Sequence, residues 1–182
     1  NGWVLSCSPE WFLQKTGDTL MTKPMKGTAK VGESSSEELH GDAKNRAENV
    51  MIVDLLRNDL SKISMPGSVK VPHLFEVQQH GDVLQMTSTI SSISKENLKL
   101  KELLQAIFPC GSVTGAPKKR TMELIQGLES EPRNLYCGAI AWFDPSSKTG
   151  LGDLGMSVVI ITLELAKDQS FQMGVVGGIT LD

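Results

Sequence analysis

Apolar positions along the chain fall into two patterns, which predict two kinds of secondary structure. Short apolar runs bounded by glycine, proline and polar turns indicate strands, and apolar residues three and four positions apart indicate helices. The predicted strands span 3–7, 68–78, 83–93, 137–143, 154–165 and 171–176, and the predicted helices span 43–60, 95–108 and 117–128. Many strands with a few long helices predict an α+β fold built on antiparallel sheets.

The helix predicted from residue 43 has the clearest boundary signal. Asp42 suits its N-terminus, because an aspartate side chain accepts hydrogen bonds from the first free N–H groups of a helix. The polar stretch 33–38 before it predicts a loop or a weak helix start. Two neighbouring stripes run along the helix: Ala47, Val50, Met51 and Leu55, and beside them Asn45, Glu48 and Ile52.

Composition narrows the class of protein. The chain carries a formal net charge of -3 and 40% hydrophobic residues, which suits one globular core and argues against a nucleic-acid partner. Its longest apolar runs, such as 158–163, are too short to cross a bilayer, so no membrane partner is expected. The three cysteines are too few and too scattered for a disulfide framework or a zinc site, and we expect a cytoplasmic location.

The two ends of the chain also carry information. It begins on a strand-like run without a methionine and stops at Asp182 with no capped element or polar tail. We therefore expect residues 1–182 to be part of a longer domain, truncated at both ends.

Lys26 stands out among the ionisable residues. It lies between a proline turn and the pair Gly27 and Thr28, a pattern typical of backbone that approaches a ligand. A lysine amine held there acts as a nucleophile once its surroundings leave it without a proton. The same pattern is compatible with a solvated surface lysine, and the local sequence leaves both interpretations open.

The loop before the last predicted helix is rich in small residues. It contains Gly111, Ser112, Thr114 and Gly115, and it leads to Pro117 at the first predicted helical position. Small residues let backbone N–H groups face a ligand, and a helix N-terminus favours negative charge, so the loop suits a carboxylate or phosphate. Two lysines follow and would add charge if they faced the ligand. The spacing does not fit a Walker A loop, and a purely structural helix entry is the alternative.

Two carboxylates are candidates for chemistry. Glu48 lies on the predicted helix from residue 43, where a carboxylate costs free energy unless it is paired or bound to a metal ion. A surface ion pair with Lys44, four positions earlier, explains Glu48 as simply. Glu10 lies at a turn after a strand predicted to be buried, where partial burial would raise its pKa into a range useful for proton transfer.

Several long runs of the chain closely resemble motifs of the chorismate-utilising enzymes. They are Ser8–Leu13, Arg46–Leu60, Gly67–Val71, Gln85–Ile90 and Pro109–Lys118. The resemblance extends from about residue 5 to residue 182. It implies the C-terminal part of a chorismate-binding catalytic domain, with the anthranilate synthase component I-like fold: antiparallel sheets with helices packed outside.

Within that family, the run 24–28 is similar to the aminodeoxychorismate synthase component I branch, which aminates chorismate at C4 on the way to 4-aminobenzoate and folate. The resemblance implies that Lys26 attacks C2 as the C4 hydroxyl leaves, that Glu10 assists this departure, and that ammonia then adds at C4 and expels the lysine. It also implies Mg2+ held by Glu48, and a glutamine amidotransferase subunit that supplies ammonia. The residues implied to bind substrate are Thr28, Gln85, Gly111, Ser112, Thr114, Gly115, Gly177 and Gly178.

The chain departs from the family pattern at four positions. Ile161 replaces an arginine that grips a substrate carboxylate, Val176 replaces a glycine, Asn45 replaces an acidic residue, and Gln85 replaces the histidine of some members. Anthranilate synthases carry alanine at the position of Lys26. Two alternatives follow: an anthranilate, isochorismate or salicylate synthase-type enzyme, and a degenerate homologue that binds chorismate without turnover. The second Mg2+ carboxylate is expected beyond residue 182, so we expect the chain alone to be inactive.

Overall fold

The computed structural model describes residues 2–144, 150–168 and 170–174. Its strands are β1 (Trp3–Ser6), β2 (Trp11–Thr16), β3 (Thr19–Lys23), β4 (Met25–Lys30), β5 (Lys70–His80), β6 (Val83–Ile93), β7 (Ala139–Phe143), β8 (Leu154–Val158), β9 (Thr162–Leu165) and β10 (Phe171–Gly174). Its α-helices are α1 (Ser36–Gly41), α2 (Ala43–Ser61), α3 (Leu100–Ile107) and α4 (Lys118–Leu128). One turn of 3-10 helix, Gly111–Val113, lies between α3 and α4.

Two antiparallel sheets organise the strands. The smaller sheet has the order β1-β9-β10, and the larger has the order β4-β6-β3-β2-β8-β7, with β5 also paired to β6. β6 is central because β5 pairs along one of its sides, while β3 and β4 pair one after the other along the opposite side. The end of β3 also pairs with the start of β2, which brings the segments that carry Lys26 and Glu10 to the same part of the sheet.

Helices α1, α2 and α3 pack on one face of the larger sheet. On α2, Ile52, Leu56 and Leu60 are buried in one cluster with Phe12 and Ile90 of the sheet, and side chains of α3 belong to the same cluster. Removing such apolar surface from water stabilises the fold by about 25 cal/mol per Å². The predicted α+β class, with antiparallel sheets and helices outside them, is confirmed.

Several predicted boundaries differ from the structure. Helix α3 begins at Leu100 instead of residue 95. The Glu102 side chain accepts a hydrogen bond from the Lys99 N–H at 2.9 Å and so caps the N-terminus of the helix at that point. The segment 154–165 forms β8 and β9, two strands of different sheets, instead of one. Strand β1 was expected to be buried, yet Trp3 is 74% exposed. Pro117 caps α4 from an extended conformation and does not start it.

Helix α2 begins as predicted, since the Asp42 side chain accepts a hydrogen bond from the Asn45 N–H at 2.7 Å. Helix α1, in the polar stretch, has a capping box between Ser35 and Glu38 at its N-terminus. No helix within the described ranges is long and apolar enough to span a membrane.

Candidate active site

Lys26 lies in a β-bulge at the beginning of β4. Met25 pairs with Thr87 and Thr28 pairs with Gln85, so β4 has one residue more than β6 between these two pairs. The glycine that follows Lys26 has a φ of +98°, a conformation that side-chain-bearing residues rarely adopt. The bulge therefore depends on this glycine.

The bulge faces the helices. A Cβ at Gly27 would lie 3.1 Å from Asn45 Cγ of α2 and 3.3 Å from Leu39 Cδ1 of α1. Lys26 and Gly27 together lie opposite Met86 of β6, which is buried with Leu39 of α1 on the side of the helices. Lys26 is thus on the helix-covered face.

Glu10 supplies a carboxylate close to Lys26. It directly precedes β2 and is 7% exposed. Burial raises the pKa of the Glu10 carboxyl, while a hydrogen bond with the Ser112 side chain and the positive charge of Lys26 oppose that rise. The structure thus brings together three predicted site residues, Glu10, Lys26 and Ser112, and places Glu10 in the buried setting expected for it.

Ser112 is shared between Glu10 and Cys110. Its Oγ lies 3.2 Å from the Sγ of Cys110. Burial, followed by the charge of the nearby Glu10 carboxylate, raises the pKa of the Cys110 thiol to about 11. The thiol therefore stays protonated near neutral pH and is not a nucleophile there.

The loop that carries Ser112 is tightly wound. The N–H groups of residues 113–115 donate to the carbonyls of Cys110 and Gly111 at 2.9 to 3.3 Å. The Thr114 hydroxyl also donates to the Cys110 carbonyl, at 2.9 Å. These three N–H groups are satisfied inside the loop in this conformation, so they do not face a carboxylate or phosphate ligand as the sequence predicted.

Close packing against α2 fixes the start of this loop. A Cβ at Gly111 would overlap the side chain of Leu55. Only glycine lets the loop backbone approach the helix this closely.

Lys118, the first of the two lysines after the loop, is turned toward α2. Its Nζ lies 2.5 Å from Oδ2 of Asp59 and donates to the carbonyl of Ile107 at 2.9 Å. Asp59 is 1% exposed and also accepts a hydrogen bond from Lys62 at 2.9 Å. Lys118 therefore does not lend its charge to a ligand of the loop, because that charge is used to pair a buried carboxylate. Lys119 is exposed.

Glu48 lies one turn after Asn45, on the side of α2 that approaches the bulge. It is half-buried, and the ion pairs within the described ranges do not include one with Lys44. Among the described residues, no group of three or more His, Cys, Asp or Glu could hold a metal ion. Mg2+ often takes one or two protein carboxylates and completes its shell with waters and substrate oxygens, so Mg2+ held by Glu48 stays a prediction.

Two other predicted substrate-binding residues lie apart from this cluster. Thr28 and Gln85 pair across β4 and β6, so their side chains share one face of the sheet. Met86, the next residue of β6, is buried with Leu39 of α1 on the other face. The structure therefore does not bring Thr28 and Gln85 to the helix-covered face that carries Lys26.

The remaining motif positions lie near the end of the chain. Gly177, Gly178 and Val176 fall outside the described residues. Ile161 lies in the break between β8 and β9 and is 45% exposed.

A cavity of about 490 Å³ opens beside the loop. Thr114 lines it together with Met122, Tyr136 and Arg133, and the volume is in the range of sites for small organic molecules. The Arg133 guanidinium is held by the Glu129 carboxylate at 2.6 to 3.1 Å and by the Val113 carbonyl at 2.8 Å. Thr114 lines this cavity, whereas Lys26, Glu10 and Ser112 do not, so the cavity lies beside the cluster and not within it.

Sequence reasoning missed two polar residues next to this site. Cys110 contacts Ser112, and Asn49 is fully buried, with its Oδ1 accepting a hydrogen bond from Ser88 at 2.6 Å. The signal for Asn49 was available, because it lies three and four residues before the buried Ile52 and Val53. No local signal linked Cys110 to Glu10, which is a hundred residues away in the chain.

Comparison with known proteins adds three findings. The family model described as chorismate binding enzyme matches residues 1–182. The chain is 39% identical over 188 aligned positions to aminodeoxychorismate synthase component 1 of Salmonella typhimurium and 41% identical over 187 to that of Escherichia coli, covering 100% of this chain and 40% of each relative. It is also similar to the crystal structure of anthranilate synthase component I from Streptococcus pneumoniae, with a TM-score of 0.78, 32% identity, and coverage of 92% of this chain and 37% of that one. These similarities confirm the fold expected from the motifs.

Proposed function

This chain belongs to the family of chorismate-binding enzymes, and on that premise we propose that it acts in aminodeoxychorismate synthase component I, replacing the C4 hydroxyl of chorismate with an amino group. The observation that carries the proposal is the placement of Lys26 beside the buried carboxylate of Glu10. The identity of about 40% to component 1 relatives supports the same assignment. Because the chain spans about 40% of the length of those relatives, the substrate and the reaction are part of the proposal.

The two groups are suited to complementary roles. A lysine is a nucleophile as the free amine, and a carboxyl is a general acid when protonated. Burial favours the protonated form of Glu10, since it raises the pKa of that carboxyl.

The proposed reaction consists of two allylic displacements. The Lys26 amine forms a bond to C2 of chorismate, both conjugated ring double bonds shift, and the C4–O bond breaks as Glu10 donates a proton, so that water leaves. Ammonia then forms a bond to C4, both double bonds shift back, the C2–N bond to Lys26 breaks, and the new ammonium group returns a proton to Glu10. The lysine amine is regenerated, and the product is 4-amino-4-deoxychorismate. A covalent intermediate thus divides one difficult substitution into two easier steps.

The remaining residues bind the substrate. Glu48 would hold Mg2+, which when bound neutralises charge on the substrate carboxylate. The Ser112 hydroxyl orients the Glu10 carboxyl. The cavity that Thr114 lines is not the space in which the ring would react, because neither Lys26 nor Glu10 lines it.

A partner that supplies ammonia completes the proposal. The relatives are named as a component 1, which implies a further component, and we propose a glutamine amidotransferase subunit in that role. A cytoplasmic location is part of the same proposal.

A second candidate function is a degenerate homologue that binds chorismate without turning it over. The observation that favours it is Ile161, an exposed apolar residue at the position where the family pattern has a carboxylate-binding arginine. Loss of a bidentate guanidinium weakens binding of a carboxylate, so substrate would be held less well.

Product identity by mass spectrometry tests the proposal. The full-length gene product is incubated with chorismate, Mg2+ and ammonium, beside Lys26→Ala and the matched control Lys30→Ala. Lys30 lies on the same strand, exposed and paired with Glu33 at 3.1 Å. We expect 4-amino-4-deoxychorismate from the wild type and from Lys30→Ala, and a loss of at least about a hundredfold in Lys26→Ala.

Other products would lead to other conclusions. Anthranilate or isochorismate would assign another branch of the family. Unchanged chorismate from a folded protein that still binds it would favour the non-catalytic homologue. Normal amination by Lys26→Ala would rule out the covalent route.

A further inference from the structure

Asp59 is a buried carboxylate outside the reacting groups. It is 1% exposed, and a charge so enclosed is strongly unfavourable unless it is paired. Its two partners differ, because the Lys62 side chain is 52% exposed and the Lys118 side chain only 16% exposed. Lys118 is therefore the partner that shares its buried environment.

The Lys118 ammonium joins three elements. It contacts Asp59 on α2 and donates to the carbonyl of Ile107, the last residue of α3, while Lys118 itself is the first residue of α4. The end of α3 and the start of α4 are the two ends of the segment 108–117, which carries Ser112. One ammonium group thus ties both ends of this segment to α2.

A second anchor lies one helical turn away on α2. Leu55 packs against Gly111 so closely that a Cβ there would overlap it, and Leu55 precedes Asp59 by four residues. The segment is therefore held at two neighbouring points of one helix. Ser112 follows the first of these points directly, and its hydroxyl meets the Glu10 carboxylate.

We propose that the Asp59–Lys118 ion pair is a positioning device that holds Ser112 against Glu10. Both residues act through the segment 108–117, so they are positioning residues. The proposed function is needed only for the effect on turnover, because the contact between Ser112 and Glu10 can be measured without substrate.

The expected consequence concerns Glu10. The hydrogen bond from Ser112 lowers the pKa of the Glu10 carboxyl, so a segment that no longer holds Ser112 in place lets this pKa rise. The other titratable groups that act on Glu10 are Lys26 from β4 and Cys110 from the loop. Neither is substituted in the test, and the Cys110 thiol carries no charge near neutral pH.

The test is a double-mutant cycle read by carbon-13 NMR. Glutamate labelled at the carboxyl carbon is incorporated into the full-length protein, Glu10→Gln assigns the resonance, and the pKa of Glu10 is measured in Ser112→Ala, Lys118→Met and the double variant. We expect the pKa to rise in both single variants and to rise no further when they are combined.

Two further variants separate positioning from folding. Asp59→Asn with Lys118→Met removes both charges, leaves no unpaired buried charge, and is expected to fold while the Glu10 pKa stays raised. Asp54→Asn removes an exposed ion pair with Arg57 on the same helix and is expected to leave the Glu10 pKa unchanged. In the amination assay, kcat of the doubly neutral variant falls about tenfold with KM nearly unchanged.

Two results would overturn the inference. One is an unchanged Glu10 pKa in the folded, doubly neutral variant. The other is a rise caused by Lys118→Met that is equally large with and without Ser112, since the lysine would then act on Glu10 directly. A wild type that does not aminate chorismate would overturn the proposed function, and the NMR cycle would still decide the role of the ion pair.

Discussion

The positive charge of Lys26 lowers the pKa of the Glu10 carboxyl, against the burial that raises it. The two groups come from different strands and are sixteen positions apart in the chain. The charge of Lys26 therefore favours the ionised form of Glu10.

Replacing Lys26 with methionine should raise the pKa of Glu10. The variant keeps a side chain of similar length but removes the charge that favours the ionised carboxylate. Carbon-13 NMR of the labelled carboxyl measures the shift. Lys30→Met, at an exposed position of the same strand, is the control and should leave the pKa unchanged. Equal shifts in both variants would mean that Lys26 has no special proximity to Glu10.

Replacing Glu10 with glutamine should change how stability depends on pH. The pKa of Glu10 is raised on folding, so its contribution is fully present below the ordinary glutamate pKa of about 4.3 and is lost as the pH rises through the higher native value. Glutamine does not ionise. The free energy of unfolding of Glu10→Gln, relative to wild type, should therefore increase from pH 4 to pH 8, by about 1.4 kcal/mol per unit of pKa elevation.

Urea unfolding at several pH values measures this difference. Parallel pH profiles for wild type and Glu10→Gln would show that folding leaves the Glu10 pKa where it is in the unfolded chain.

A methyl group at Gly111 should destabilise the protein. The added Cβ of Gly111→Ala overlaps Leu55, and overpacking of this kind costs about 1–3 kcal/mol. In a protein that already carries Leu55→Ala, Gly111→Ala should cost less stability than it does in the wild type. Thermal unfolding of the wild type, the two single variants and the double variant tests this. Gly127→Ala is the matched control, because no atom lies within 4 Å of that Cβ in α4. It should stabilise the helix by about 0.5–1 kcal/mol.

Loss of the α2 cap should also be measurable. Asp42→Ala removes the acceptor of the Asn45 N–H and should lower the free energy of unfolding by about 1 kcal/mol. Asp42→Asn keeps an oxygen in the same place and should cost much less. Similar losses in both variants would indicate that the charge of Asp42, and not its hydrogen bond, supports the helix.

Helix α2 shows what local sequence reveals and what it does not. Its start was predicted from Asp42, yet Ala47, Val50 and Met51 of the expected apolar stripe are exposed. The buried face carries Asn49 and Asp59 between leucine, isoleucine and valine residues. The Oδ1 of Asn49 and the carboxylate of Asp59 have partners distant in the chain, Ser88 and Lys118, which no local periodicity can indicate.

The same contrast between local sequence signals and contacts of distant residues applies to the candidate site. Glu10, Lys26 and Ser112 were predicted because each lies in a recognisable motif, and the structure brings them together. Which way the lysines after the loop point could not be predicted, since it depends on the buried charge of Asp59. Nor could the face on which Thr28 lies, because the bulge in β4 changes the alternation of side chains along that strand.

The bulge in β4 has a consequence for how chemistry can change within this fold. Its backbone is determined by Gly27 and by the contacts of that glycine with α1 and α2, and not by the side chain of Lys26. The lysine can therefore be exchanged for another residue while the strand register is inherited unaltered. A substitution at position 26 would therefore change the functional group presented by the bulge and leave the strand pairing that positions it intact.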